Sequence, residues 1–265
     1  MKVITFGDSW TAGEGTNHSI TRKWEVNEIE KLERYNKSHS WPRYLADKIG
    51  VQYKNFGEVG STNYRIFSNV FEQFAENQIS NDDLIVIMWS SPLRDPLPFF
   101  PHMFSRTGPI GLSWSLKELA SDNKESLKRY YEHWGKTNPL HISYMENDLI
   151  KFMDNYFPFY LENLHDESYY KLLNTNYMIM LQKYLESKGI DYIMCNAFEE
   201  LDYDEKLVDI TNYYNHQTMF EFLSNKGEVW EDIKTKQVIK HPNTQGHKLI
   251  AQEVFDFYES IYRVR

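Results

Sequence analysis

The sequence predicts an α/β fold: a central parallel sheet of about five strands with helices on both faces, a three-layer α/β/α arrangement. Three observations carry this. Short apolar runs at Val3–Phe6, Leu84–Trp89 and Ile190–Cys195 have strand length and no polar alternation, the pattern of strands buried on both faces. Between them lie segments with apolar residues at helical spacing. Strands that alternate with helices pair in parallel, because the helix is the crossover connection.

Taken in order, Val3–Phe6 opens the sheet and stops at Gly7. A helix ends at Gly50, and Gln52–Phe56 follows as a second strand. Thr62 to Phe74 carries Ile66, Val70, Phe71 and Phe74 at helical spacing. Asp83 precedes the third strand, Leu84–Trp89. Tyr169 to Lys188 is a long helix with Leu172, Leu173, Tyr177, Leu181 and Leu185 on one side, stopped by Gly189. Ile190–Cys195 is the fourth strand, and the fifth is expected near Lys236–Ile239. Leu249, Ile250, Val254, Phe257 and Ile261 form the stripe of a last helix.

Five of the nine prolines fall between Pro92 and Pro109, which blocks regular structure there. Long irregular segments inside a compact domain are often functional. Residues 1–265 therefore read as a single domain, with Pro92–Phe159 an insertion over the carboxyl end of the sheet. Leu116–His133 and Tyr144–Asn155 are its helical pieces.

Composition narrows the function classes. A net charge of −9 gives the chain no electrostatic footprint for nucleic acid or an anionic membrane. The single Cys195 makes no internal disulfide and reads as a small apolar filler in its strand. The apolar run at the start is too short for a signal peptide, and no stretch approaches the roughly 20 apolar residues of a membrane span. A cytoplasmic protein is expected, although a virion-borne one would look the same. Aromatics reach 16%, with nineteen Tyr, sixteen Phe and seven Trp. Some are expected to line a surface or cleft, where a flat ring suits sugars or acyl chains.

Two segments point to chemistry. Gly7-Asp8-Ser9-Trp10-Thr11-Ala12-Gly13 follows the first strand directly. A Ser in that turn lies at the carboxyl end of a parallel strand, where open α/β sheets bind ligands. The plainer reading is a turn with Ser or Asp as a helix N-cap. At the other end, His241-Pro242-Asn243-Thr244-Gln245-Gly246-His247 precedes the last helix. Pro242 and Asn243/Thr244 hold His241 just outside that helix, with its ring free to reach a neighbour. A Ser hydroxyl is a weak nucleophile and needs such a base. His247, with no cluster of Cys or carboxylates around it in sequence, reads as a solvated helix residue rather than a metal ligand.

Together with Asn55-Phe56-Gly57-Glu58-Val59-Gly60-Ser61-Thr62-Asn63, these segments resemble blocks I, II and V of the SGNH (GDSL-like) hydrolase superfamily. The resemblance spans most of the chain outside the insertion. It implies a flavodoxin-like sheet and a carboxylic ester hydrolase working through an acyl-serine, without metal or organic cofactor. Ser9 is then the nucleophile and His241 its base. The backbone N–H groups of Ser9 and Gly60 face the oxyanion, although Gly60 also fits a plain turn glycine. The substrate is a small-molecule or carbohydrate ester, with an O-acetyl group on a carbohydrate favoured by the aromatic surplus. Oligomeric state is not legible.

The family pattern breaks twice. Its block III is Gly-x-Asn-Asp after the third strand, whose Asn gives a third oxyanion donor. Here the strand ends Met88-Trp89-Ser90-Ser91-Pro92, so Ser91 stands in, with Ser90 the alternative. Losing such a donor costs on the order of 10²–10³ in rate in another hydrolase. The acid usually found three residues before the base is here Val238. Asp232 and Glu231 are the nearby acids, and a Ser-His dyad is the alternative. Trp10, Asn63, Trp89 and Arg94 are substrate-contact candidates. For the two Trp core packing is the equal alternative, and for Arg94 a surface pair with Asp95 is. A non-catalytic glycan-binding or structural protein on the same fold remains the second reading.

Overall fold

The computed structural model describes residues 1–16, 34–92, 167–200, 203, 206–231 and 238–263. Apart from Pro92, the insertion expected at Pro92–Phe159 and the helical pieces expected within it lie outside the described residues, as do Arg94 and Asp232.

A four-stranded parallel sheet forms the centre, in the order β2-β1-β3-β4. Strand β1 is Lys2–Phe6, β2 Gln52–Asn55, β3 Leu84–Trp89 and β4 Tyr192–Asn196. Val3 lies opposite Tyr53 on one side and Leu84 on the other. Ile85 lies opposite Tyr192. The uniform apolar runs mark β3 and β4, which are buried at every position. Strand β2, with Gln52, Lys54 and Asn55, is the half-exposed edge.

Successive side chains of a strand point to opposite faces, so the runs split between two cores. Val3, Leu84, Val86, Met88, Ile193 and Cys195 pack on one face. That face is covered by α2 (Trp41–Ile49) and by the last helix, α6 (Thr244–Tyr262), through Trp41, Leu45, Ile250, Ala251 and Val254. Ile4, Phe6, Ile85, Ile87, Trp89 and Met194 pack on the other. There α3 (Asn63–Ala75) contributes Ile66 and Val70, and α4 (Glu167–Lys188) contributes Met178, Leu181 and Leu185. This is the α/β/α layering the sequence predicts. Two short helices, α1 (Ser9–Ala12) and α5 (Met219–Ser224), lie after β1 and before β5 (Val229–Glu231), respectively.

Three expectations change. The segment near Lys236–Ile239 does not extend the parallel sheet. Strand β6 (Val238–Pro242) pairs antiparallel with β5 (Val229–Glu231) in a separate two-stranded sheet. The place beside β4 is taken by a single parallel bridge, Met194 to Tyr213, with the Met194 N–H donating to the Asn212 carbonyl at 2.9 Å. With Lys240, His241 and Pro242 in its sequence, β6 lacks the continuous apolar run of a strand covered on both faces. Leu172 does not join the α4 stripe: it is 59% exposed, and the buried face runs through Asn174, Met178, Leu181 and Leu185. The fourth strand begins at Tyr192, because the Ile190 N–H is still bonded to the Leu185 carbonyl of the helix end.

Candidate active site

Ser9 is the first residue of α1, at the carboxyl end of β1. Asp8 before it is extended and fully buried, and one carboxylate oxygen accepts from the Trp10 N–H at 3.0 Å. Its other oxygen accepts from the Ser90 hydroxyl at 2.8 Å. Ser90 is held in turn by Asn63: its N–H donates to Asn63 Oδ1 at 2.7 Å, and Asn63 Nδ2 donates to its carbonyl at 3.0 Å. The Ser9 turn is thus tied through buried polar contacts to the end of β3 and the start of α3.

The loop after β2 closes over the same turn. The Glu58 N–H donates to the Gly7 carbonyl at 3.0 Å, and Asn55 Nδ2 donates to the Thr11 carbonyl at 2.6 Å. Gly57 must be glycine there, since a Cβ would stand 2.5 Å from the Ala12 nitrogen. Gly60 follows at φ +75°, and among the described residues nothing lies within 4 Å of where its Cβ would be. Among the described residues, neither the Ser9 N–H nor the Gly60 N–H has a hydrogen-bond partner.

His241 lies in β6, next to the residue that ends the strand. Its Nε2 is 3.0 Å from Ser9 Oγ, across 232 positions of sequence. Ties to loop 13–16 bring it there. The Thr244 hydroxyl donates to the Thr16 carbonyl at 2.9 Å. Gly15, at φ +91°, lets the His241-Pro242 backbone approach, because a Cβ at Gly15 would stand 2.2 Å from the Pro242 carbonyl oxygen. Asn243 caps α6 by accepting from the Gly246 N–H at 2.8 Å.

Two residues that sequence reasoning did not assign to the site belong to this assembly. Glu14 Oε2 lies 3.1 Å from the same His241 Nε2 that faces Ser9. His247, expected in solvent, is fully buried instead. Its Nδ1 accepts from the Trp41 N–H at 3.3 Å, and its Nε2 lies 3.2 Å from the Glu14 carbonyl. Because Nδ1 accepts, Nε2 carries the proton and donates, so the ring is neutral with its tautomer set. Burial pushes its pKa down to about 4, against the hydrogen bond to Glu14, with the nearby His241 adding to the fall. The sequence did hold a clue: His247, Ile250, Ala251 and Val254 share one helical stripe, and the other three are core.

Several candidates take other places. Trp10 and Trp89 are fully buried, one in each core, so neither ring lines an exposed surface. Trp10 packs edge-on against Phe198 at 5.1 Å between centroids. Asn63 is buried, and both ends of its amide are used on the Ser90 backbone, which removes it from substrate contact. The Ser90 hydroxyl gives its proton to Asp8, so it does not serve as an oxyanion donor. The Ser91 hydroxyl donates to the Glu199 carboxylate. Cys195 is buried, and burial alone pushes its thiol up to about 12. No group of three or more His, Cys, Asp or Glu suited to a metal occurs among the described residues.

Among known proteins, no curated one matches the chain. Similar solved structures include a protein assigned to the lipolytic G-D-S-L family from Desulfitobacterium hafniense DCB-2. It is 15% identical, covers 97% of this chain and 98% of its own, and has a TM-score of 0.33. A lipolytic G-D-S-L family member from Veillonella parvula DSM 2008 is 16% identical, with 97% of each chain covered and a TM-score of 0.35. A carbohydrate esterase, described with divergent catalytic and non-catalytic binding functions of its active site, is 12% identical. That match covers 98% of this chain and 64% of the other, at a TM-score of 0.46. The model of the GDSL-like lipase/acylhydrolase family matches residues 3–254, from the first strand into the last helix, and the chain therefore belongs to that family.

Proposed function

We propose that the chain is a serine esterase that hydrolyses a carboxylic ester through an acyl-Ser9 intermediate, with His241 as general base and then general acid. The observation that carries this is the 3.0 Å approach of Ser9 Oγ to His241 Nε2. That is hydrogen-bond reach for a nucleophile and its base. Ser9 Oγ attacks the ester carbonyl while its proton passes to Nε2. Collapse of the tetrahedral intermediate breaks the carbon–oxygen bond to the alcohol, and Nε2 returns the proton to the departing alkoxide. Water then repeats the sequence on the acyl-enzyme, releasing the acid and restoring the Ser9 hydroxyl.

The N–H groups of Ser9 and Gly60, on the two loops that meet at this turn, have no partner among the described residues, which supports their use as oxyanion donors. With the Ser90 hydroxyl bound to Asp8, Ser91 is the remaining candidate for a third donor, once its proton leaves Glu199. Donors that must first be released stabilise charge less than preorganised ones, so we expect slow turnover of simple esters. The single-domain organisation of residues 1–265 belongs to the same reading.

The test is labelling by a fluorophosphonate probe, alongside p-nitrophenyl acetate hydrolysis. The native protein is expected to label and Ser9→Ala to lose both signals, by at least about 10³-fold. Labelling that survives Ser9→Ala rejects Ser9. A folded native protein that neither labels nor hydrolyses ester supports the glycan-binding alternative, which the missing block III Asn favours.

A further inference from the structure

We propose that Glu14 marks the alcohol side of the site and selects esters whose alcohol carries further hydroxyl groups. This rests on the serine esterase reading above and deepens it. His241 Nε2 faces two oxygens: Ser9 Oγ at 3.0 Å and Glu14 Oε2 at 3.1 Å. In acyl transfer that nitrogen takes the Ser9 proton and hands it to the leaving alkoxide. The alkoxide must therefore come within reach of the same atom. The carboxylate of Glu14 stands beside the nitrogen that the leaving oxygen has to approach.

The proton count shows that Glu14 yields when substrate arrives. A neutral imidazole carries one proton on its two nitrogens. With the proton on Nε2, it goes to Glu14 and Ser9 has no base. With Nε2 bare, it accepts from Ser9, and a carboxylate oxygen at 3.1 Å faces its lone pair. Catalysis needs the second form, so the carboxylate shifts aside. Its side chain is 36% exposed and can turn toward solvent. Its backbone cannot follow: the Glu14 N–H donates to the Ser9 carbonyl at 2.9 Å, and the Glu14 carbonyl accepts from His247. The displaced carboxylate thus stays next to the alcohol.

An ionised carboxylate only accepts hydrogen bonds. Beside a simple alkyl alcohol it finds no donor, whereas beside a polyol it meets hydroxyl groups that take the place of the His241 ring. It also repels an anionic alcohol portion. The substrate class that fits is the neutral polyol ester, an acylated sugar or glycerol. A site that hydrogen-bonds a substrate hydroxyl discriminates against the analogue without it.

A matched pair of acetates tests this. Glycerol 1-acetate and propyl acetate share the acyl group and the chain length, and differ by two hydroxyls. The readout is the ratio of their kcat/KM values, which is insensitive to the fraction of folded protein. The native protein is expected to favour the glycerol ester by about tenfold or more. Glu14→Ala is expected to erase that preference, and Glu14→Gln, whose amide oxygen still accepts, to keep part of it. An unchanged ratio in Glu14→Ala overturns the role of Glu14 while leaving the esterase reading standing. No turnover of either ester by the native protein, with no fluorophosphonate labelling, overturns both.

Discussion

A methyl group at residue 15 would stand 2.2 Å from the Pro242 carbonyl oxygen and 3.2 Å from the His241 Cβ. Gly15 also sits at φ +91°, where a side chain is strained. Gly15→Ala is therefore expected to push His241 away from Ser9. Strain alone costs roughly 1–2 kcal/mol, and a small displacement of a catalytic group costs about 10²-fold in rate. Thermal melting and the rate of fluorophosphonate labelling read the two effects separately. The Ser9 and His241 pair was legible in sequence because both sit beside turn and cap residues that fix their position. Glu14 was not, since its contact depends on the ring of a residue over two hundred positions away. The sequence neighbours of Trp10 and Trp89 make both rings candidates for the cleft. They are core because β3 is covered on both faces, and because the short helix α1 turns Trp10 inward against Phe198.

The contacts among Asp8, Ser90 and Asn63 join three elements, the β1–α1 turn, the end of β3 and the first turn of α3. Asn63→Ala would strand a buried N–H and a buried carbonyl of Ser90, each worth about 1–3 kcal/mol when unpaired. The denaturant midpoint of this variant should fall well below that of Tyr64→Ala, the exposed neighbour on the same helix. Ser90→Ala is expected to lower stability but to leave the oxyanion donors in place. Its kcat should therefore fall far less than the roughly 10²–10³ that follows removal of a donor. At this scale the sequence marked strands well where runs were uniformly apolar, as in β3 and β4. It failed for β6, because a short mixed segment can pair with a strand close in sequence, here β5 (Val229–Glu231), rather than join the parallel sheet. It also misplaced Leu172, because a 22-residue helix rich in apolar side chains offers more than one stripe.

For the whole molecule, His247 links the last helix, α2 and loop 13–16, and its burial makes stability depend on pH. Its folded pKa, about 4, lies below the ordinary 6.5, so the unfolded chain binds the proton more readily. The contribution is complete above about pH 6.5 and is lost as pH falls through 4. It amounts to about 3 kcal/mol, since each tenfold weakening of proton binding is worth roughly 1.4 kcal/mol. Urea unfolding at pH 7.5 and pH 4.5 should show this loss in the native protein and a shallower one in His247→Gln. A second whole-molecule expectation concerns Cys195, whose buried thiol should react with a thiol reagent only after unfolding.

The 232-residue separation of Ser9 and His241 bears on biosynthesis. On the ribosome, β1 and the Ser9 turn emerge before β2, β3 and β4, which can pair behind them. The imidazole and the helix that seats it leave the exit tunnel only after those strands. A nascent chain halted before that point carries Ser9 without His241. The contact between Ser9 and His241 thus forms only after the four strands of the parallel sheet have been made.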